Sequence, residues 1–241
     1  MKKMFLALGV CLLVSGCASL DDSVTAKRQK LFNGRDLKGW NGDPTLWSVQ
    51  NGVIHGETKA SNPLKQNSFL IWTNGVVENF ELRFSYRILP QNDKNSANSG
   101  AQYRSTVDDP TKWVVGGYQA DFEAGTTYSG ILYEERRSRG IMALRGEKVV
   151  WGSDGKKQVV GKTEMTSEQL QQSIRKNEWN EYLVIAQGNH FIHKINGHTT
   201  VDVTDADPSK MAKSGVLAFQ IHTGPPMVVE FKDVELTRLD P

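Results

Sequence analysis

The chain has 241 residues, 38% of them hydrophobic and 9% aromatic, and a formal net charge of +2. That is ample material for one large core. Its 29 Lys and Arg residues are spread along the sequence rather than gathered into a stripe, so the electrostatic footprint of a nucleic-acid binder is missing and no nucleic-acid partner is expected.

The first segment, MKKMFLALGVCLLVSGC, sets Lys2 and Lys3 before an apolar run from Met4 to Val14, with small residues ahead of Cys17. This is the layout of an export signal, and the run is too short to span a bilayer. Val14-Ser15-Gly16-Cys17 resembles the bacterial lipobox. That resemblance implies removal of residues 1–16 and a lipid on Cys17 that ties the chain to a membrane; Ala18 in place of Asp implies the outer membrane, on its periplasmic or surface side. Cys11 would leave with the signal, so the mature chain would hold no disulfide. Residues 17–30, polar and without periodicity, read as a tether, and the folded domain is expected over 31–241.

Short alternating runs follow, separated by Gly, Asn, Asp and Pro. LWSVQNGVIHGE (46–57) and SFLIWT (68–73) are strand candidates. FELRFSYRI (80–88) is the clearest strand, with Phe80, Leu82, Phe84, Tyr86 and Ile88 on one face and charged or polar residues on the other. SGAQYRS (99–105), GYQADFE (117–123) and GILYEE (130–135) continue the pattern. Thr166 with Gln169 forms a capping-box signature ahead of Leu170 and Ile174, predicting one short helix over 167–176. EYLVIAQGNHFIHKING (181–197) reads as a hairpin turning at Gly188-Asn189, and GVLAFQIH (215–222) as a late strand. Many short strands with one small helix predict an all-β, two-sheet antiparallel β-sandwich.

Several strand faces are polar in an unusual way. Gln119, Asp121 and Glu123 share a face in GYQADFE, and Gln220 and His222 share one in GVLAFQIH; Arg104 lies in SGAQYRS. Solvated faces usually carry Lys, Glu and Thr, whereas amides, guanidinium, carboxylate and imidazole make directional bonds to hydroxyls, which suits a saccharide. A cross-strand ion pair between Arg104 and Asp121 is the plain alternative. Tyr133, Glu134, Glu135, Arg136, Arg137 and Arg139 lie in a charged run that either rims such a surface, with Arg to orient and Glu to accept or donate protons, or is a solvated loop. Pro225 and Pro226 stiffen the turn after His222. Two of the histidines, His190 and His193, fall on opposite faces of one strand and do not chelate together. A divalent cation held by Asp121 and Glu123 stays open. The sequence has no phosphate loop after a strand, no GxSxG elbow and no thiol nucleophile.

Taken together, LFNGRDLKGW, WSVQNGVIHGE, FELRFSYRI, NSGAQYRS, GYQADFEAG, GILYEERR, WNEYLVIAQGNHFIHKING and GVLAFQIHTGPPMVVEFKDVELTRL resemble the 3-keto-disaccharide hydrolase domain family. The resemblance implies a concanavalin-like jelly roll with a sugar pocket on its concave sheet. It implies glycosidic-bond cleavage in 3-keto-glycosides or 3-keto-disaccharides, and functional pairing with a sugar 3-dehydrogenase that makes the ketone. On that basis His222 is the expected base or acid, with Asp121 or Glu134 as its partner in proton transfer. Arg104 or Arg137 would steady an oxyanion, Gln119 and Gln220 would read hydroxyls, and Tyr103, Tyr118 and Tyr133 would stack on the ring. The competing readings are a non-catalytic carbohydrate-binding module, a conventional glycosidase using Asp121 with Glu134, and a purely structural envelope lipoprotein.

Overall fold

A computed structural model describes Met1 and residues 27–240. The export-signal segment and Cys17 lie outside the described residues. In chain order the strands are β1 (Arg28–Lys30), β2 (Trp40–Asn41), β3 (Trp47–Gln50), β4 (Val53–Glu57), β5 (Ser68–Trp72), β6 (Phe80–Pro90), β7 (Asn98–Asp109), β8 (Val114–Glu123) and β9 (Leu132–Glu135). Then come β10 (Gly140–Ala143), β11 (Glu147–Trp151), β12 (Lys157–Lys162), the helix α1 (Ser167–Ser173), β13 (Asn180–Gln187), β14 (His190–Ile195), β15 (His198–Asp205), β16 (Val216–Ile221) and β17 (Met227–Arg238). The end of the segment read as a tether is therefore structured: Arg28–Lys30 pairs with β17.

Two sheets stack face to face. The larger runs β12-β11-β15-β14-β13-β6-β17-β4-β3, with β1 beside β17; the smaller runs β10-β9-β8-β7-β16-β5-β2. Pairing is antiparallel apart from β11 with β15. The predicted sandwich is thus observed, and the predicted helix is shorter at its C-terminus, because Ile174 already has extended backbone. Its capping box is formed: Thr166 Oγ1 accepts from the Gln169 N–H, and Gln169 Oε1 accepts from the Thr166 N–H.

Alternation decides what is buried. Phe80, Leu82, Phe84 and Tyr86 of β6 meet Ala120 and Phe122 of β8 and Phe219 of β16 in one core. Ring centroids of Phe219 and Phe231 lie 3.8 Å apart, and those of Tyr86 and Phe122 4.0 Å apart, across the gap between the sheets. Each such side chain contributes roughly 1.5–3 kcal/mol by leaving water. His193 is buried here too, between the hydroxyls of Tyr103 (3.0 Å) and Tyr182 (3.2 Å). Burial drives its pKa down to about 3.

The outer face of the smaller sheet is divided in two. At one end the β7–β8 hairpin folds back, so that Val107, Trp113 and Val115 pack on Phe69, Ile71 and Ala218 in a second apolar cluster. The other end is left polar, and it carries the site.

Candidate functional site

Register builds the polar floor. Gln119 of β8 stands opposite Gln102 of β7, and Tyr133 of β9 stands opposite Gln119 on the other side. Gln102 Nε2 donates to Gln119 Oε1 at 2.5 Å, and Gln220 Nε2 donates to the same oxygen at 3.0 Å. Ser105 Oγ donates to Gln102 Oε1 at 2.8 Å. Gly100, beside this floor, has to lack a side chain, since a Cβ there would sit 2.6 Å from Gln119 Cγ. Gln220 Oε1 is buried without a hydrogen-bond partner.

Above the floor opens a cavity of about 320 Å³, lined by Asn67, Asn98, Gln119, Asp121, Tyr128, Ile131, Tyr133, Glu135, Ile141 and His222. Its titratable groups are differently tuned. Asp121 is buried, and desolvation holds its pKa well above the ordinary carboxylate value, helped by the charges of Glu123 and Glu135 and opposed by a 3.0 Å hydrogen bond from Asn98 Nδ2. Its carboxyl is thereby disposed to stay protonated. Burial also raises the Tyr133 hydroxyl, which keeps it a neutral donor. Glu135 accepts from Asn67 Nδ2 at 3.1 Å, while Asn67 Oδ1 accepts from the Thr223 N–H at 2.9 Å.

His222 is oriented by its own turn. Its Nδ1 lies against the Thr223 carbonyl oxygen. A carbonyl can only accept, so Nδ1 carries a proton, and in the neutral ring the lone pair is left on Nε2. An imidazole held in that tautomer presents Nε2 as its acceptor.

The structure brings His222, Asp121, Gln119, Gln220 and Tyr133 together, as the sequence suggested. It sends the other candidates elsewhere. Tyr103 and Tyr118 face the core, with ring centroids 5.6 Å apart, because strand alternation sets them opposite Gln102 and Gln119. Glu134 likewise points inward, where Arg139 donates to its Oε1 (2.6 Å) and to Asp205 Oδ2 (2.9 Å). Tyr118 Oη donates to the same Asp205 carboxylate at 2.5 Å. Arg104 has φ +47°, at an irregularity in the β7–β8 register; such bulges re-aim a side chain. Its guanidinium donates to the carbonyls of Glu78 (2.7 Å) and Gly188 (2.6 Å), and it forms no ion pair with Asp121. Arg137 forks onto Asp108 at 2.7 and 2.8 Å. Arg104, Tyr118, Glu134 and Arg137 line a separate cavity of about 310 Å³, but the charges of Glu134 and Arg137 are already paired.

Glu123, the other half of the expected cation pair, instead accepts the N–H groups of Thr127 (2.7 Å) and Tyr128 (2.9 Å). Among the described residues no three His, Cys, Asp or Glu side chains converge as a metal site. Site residues that sequence reasoning missed are Asn67, Asn98, Tyr128 and Ile141, and within the charged run it singled out Glu134 rather than Glu135. Glu135 was recoverable by parity, since Leu132 is buried in the core and forces Tyr133 and Glu135 outward.

A protein of Parabacteroides distasonis ATCC 8503, classed provisionally as a glycosyl hydrolase, shares 20% identity at a TM-score of 0.56, covering 88% of this chain and 94% of that one. A Bacillus subtilis protein with a galectin-like fold gives 0.53 at 12% identity over 88% and 94% of the two chains. A carbohydrate-binding module of Bacillus subtilis gives 0.52 at 14% identity over 83% and 95%. These likenesses establish the jelly-roll fold. No curated protein sequence matches the chain. Residues 27–237 match the 3-keto-alpha-glucoside-1,2-lyase-like domain. The chain therefore belongs to the 3-keto-alpha-glucoside-1,2-lyase-like domain family of carbohydrate-active hydrolases and lyases.

Proposed function

We propose that this protein cleaves the glycosidic bond of 3-keto-glycosides by carbon-acid chemistry in the cavity of Asp121 and His222. The observation that carries the reading is the pairing in one pocket of a carboxyl disposed to stay protonated with an imidazole whose Nε2 is free to accept. A ketone at C3 acidifies the C2 hydrogen. His222 Nε2 takes that proton, and the electron pair forms an enolate on the C3 oxygen. The enolate then collapses: a C1–C2 double bond forms, the C1–O bond breaks, and Asp121 supplies the proton that the leaving oxygen needs. Water adding at C1, with a proton returned to C2, would complete hydrolysis; without it the product is that of a lyase.

The cavity lining contains no Arg or Lys, so enolate stabilisation falls to neutral donors, the Tyr133 hydroxyl and the Asn98 and Asn67 amides. A charged oxyanion beside Glu135 is tolerable only if Asp121 is protonated, which agrees with its raised pKa. Gln119 fixes the floor against which the ring hydroxyls are read.

The experiment is proton exchange. In D₂O the protein should exchange the C2 hydrogen of a 3-keto-glucoside, and His222→Ala should lose about a hundredfold or more of that rate. Full exchange in the folded variant would remove His222 from the mechanism. We also propose that the chain is exported and anchored at the outer membrane through a lipid on Cys17, and works on the product of a sugar 3-dehydrogenase. Radiolabelled palmitate should enter the wild type and not Cys17→Ser.

A further inference from the structure

We propose that the leaving group accepted by this pocket is an apolar aglycone, aryl or alkyl, rather than a second sugar. The inference rests on the cleavage reading above and concerns what leaves. The cavity's polar groups sit on β7 (Asn98), β8 (Gln119 and Asp121) and β9 (Glu135), just after β16 (His222) and just before β5 (Asn67). Along the row of Gln119 the lining changes character toward β10, the edge strand. Ile141 of β10 stands opposite Tyr133 of β9, which stands opposite Gln119 of β8, so one row across the sheet passes from amide to phenol to aliphatic. Tyr128 joins Ile141 at this edge. These two are 41% and 36% exposed, among the few large hydrophobic side chains left in water.

Their exposure is built in. The turn that carries Tyr128 is held by Glu123, which accepts the Tyr128 N–H, and by the buried Arg145, which donates to the carbonyls of Ser129 and Thr126, each at 2.8 Å. Ile141 is fixed by strand pairing, with Met142 buried next to it. A rigid apolar rim beside a polar cavity is a recognition feature rather than slack. At about 320 Å³ the cavity is at the small end of ligand sites. In the cleavage reading one ring fills it and its C1 substituent is placed over the rim. A second sugar would bring several hydroxyls to a rim where Ile141 offers no partner and Tyr128 only its phenolic hydroxyl, and unmet polar groups are costly. A hydrocarbon meets Tyr128 and Ile141 at no such cost.

The test compares cyclohexyl 3-keto-glucoside with a 3-keto-disaccharide of glucose, each as both anomers. Intrinsic departure favours the sugar, whose hydroxyls acidify the leaving oxygen, so a preference for cyclohexyl must come from binding. The wild type should favour cyclohexyl in kcat/KM by about tenfold or more. In Ile141→Asn and Tyr128→Asn, both surface changes, that ratio should fall toward one, mostly through a higher KM for the cyclohexyl substrate. A wild type that prefers the disaccharide, or a ratio unmoved by both variants, overturns the inference and leaves the cleavage reading intact. Failure to cleave either keto substrate overturns the cleavage reading and the inference with it.

Discussion

Gly100→Ala isolates the amide floor from the groups above it. The added Cβ would lie 2.6 Å from Gln119 Cγ and 2.7 Å from Cδ, against an ordinary contact that begins near 3.4 Å. Gln119 must therefore withdraw by about 0.8 Å, the difference between those distances. Its Oε1 then cannot hold Gln102 at 2.5 Å and Gln220 at 3.0 Å together. Displacement on the order of 1 Å in a positioning group costs about a hundredfold, and that is the loss expected in kcat/KM on a 3-keto-glucoside. Stability should fall by about 1–3 kcal/mol, the cost of overpacking a buried site. Gly100 does not use a left-handed φ, so Ala gains about 0.4–1 kcal/mol through the unfolded chain, offsetting part of the crowding. The assay pairs steady-state kinetics with calorimetric melting and a crystal structure of the variant. A kcat/KM within about threefold of wild type, in a variant whose Gln119 has visibly moved, would refute a catalytic use of the floor.

Three further predictions follow from buried groups. The folded-state pKa of His193, about 3, lies below its unfolded value of 6.5, so its contribution to stability is complete above pH 6.5 and is lost as pH falls toward 3. That amounts to about 4–5 kcal/mol across the window. Because Asp121, with a raised pKa, acts in the opposite sense, the measurement is the difference in urea-unfolding free energy between wild type and His193→Phe. This difference should shrink as pH falls, and a difference independent of pH would contradict the assignment. Arg139→Met leaves Glu134 and Asp205 buried without their shared cation and should destabilise by about 3–5 kcal/mol. Adding Glu134→Gln and Asp205→Asn should restore much of that loss in the same unfolding assay. Asp121→Asn should lower kcat and remove the alkaline limb of its pH profile, since the acid is lost as pH rises through the raised pKa; an unaltered limb would assign it to another group.

Much of this was legible in the sequence, and the failures have physical causes. FELRFSYRI gave its buried face by alternation alone, and the same rule placed Gln119 with Asp121 on one face. Followed strictly, that rule would also have put Tyr118, which shares a face with Ala120 and Phe122, in the core, and would have chosen Glu135 over Glu134. Arg104 was beyond the reach of alternation, because a positive φ at an irregularity in the ladder turns its side chain toward carbonyls at the end of the sandwich. Asn67 reaches the site by contacts 68 and 156 residues away, to Glu135 and Thr223, and no local pattern announces those. Tyr128 was hidden in a turn whose shape depends on Glu123 and Arg145 together.

The central claim is that the pocket acts on a carbon acid. The most direct measurement incubates the protein, from the residue after Cys17 onward, with glucosides that differ only in bearing a 3-keto or a 3-hydroxyl group, and follows release of the aglycone with and without chelator. The account predicts release from the keto partner alone. Release from the hydroxyl partner at a comparable rate would contradict it and point to a conventional glycosidase.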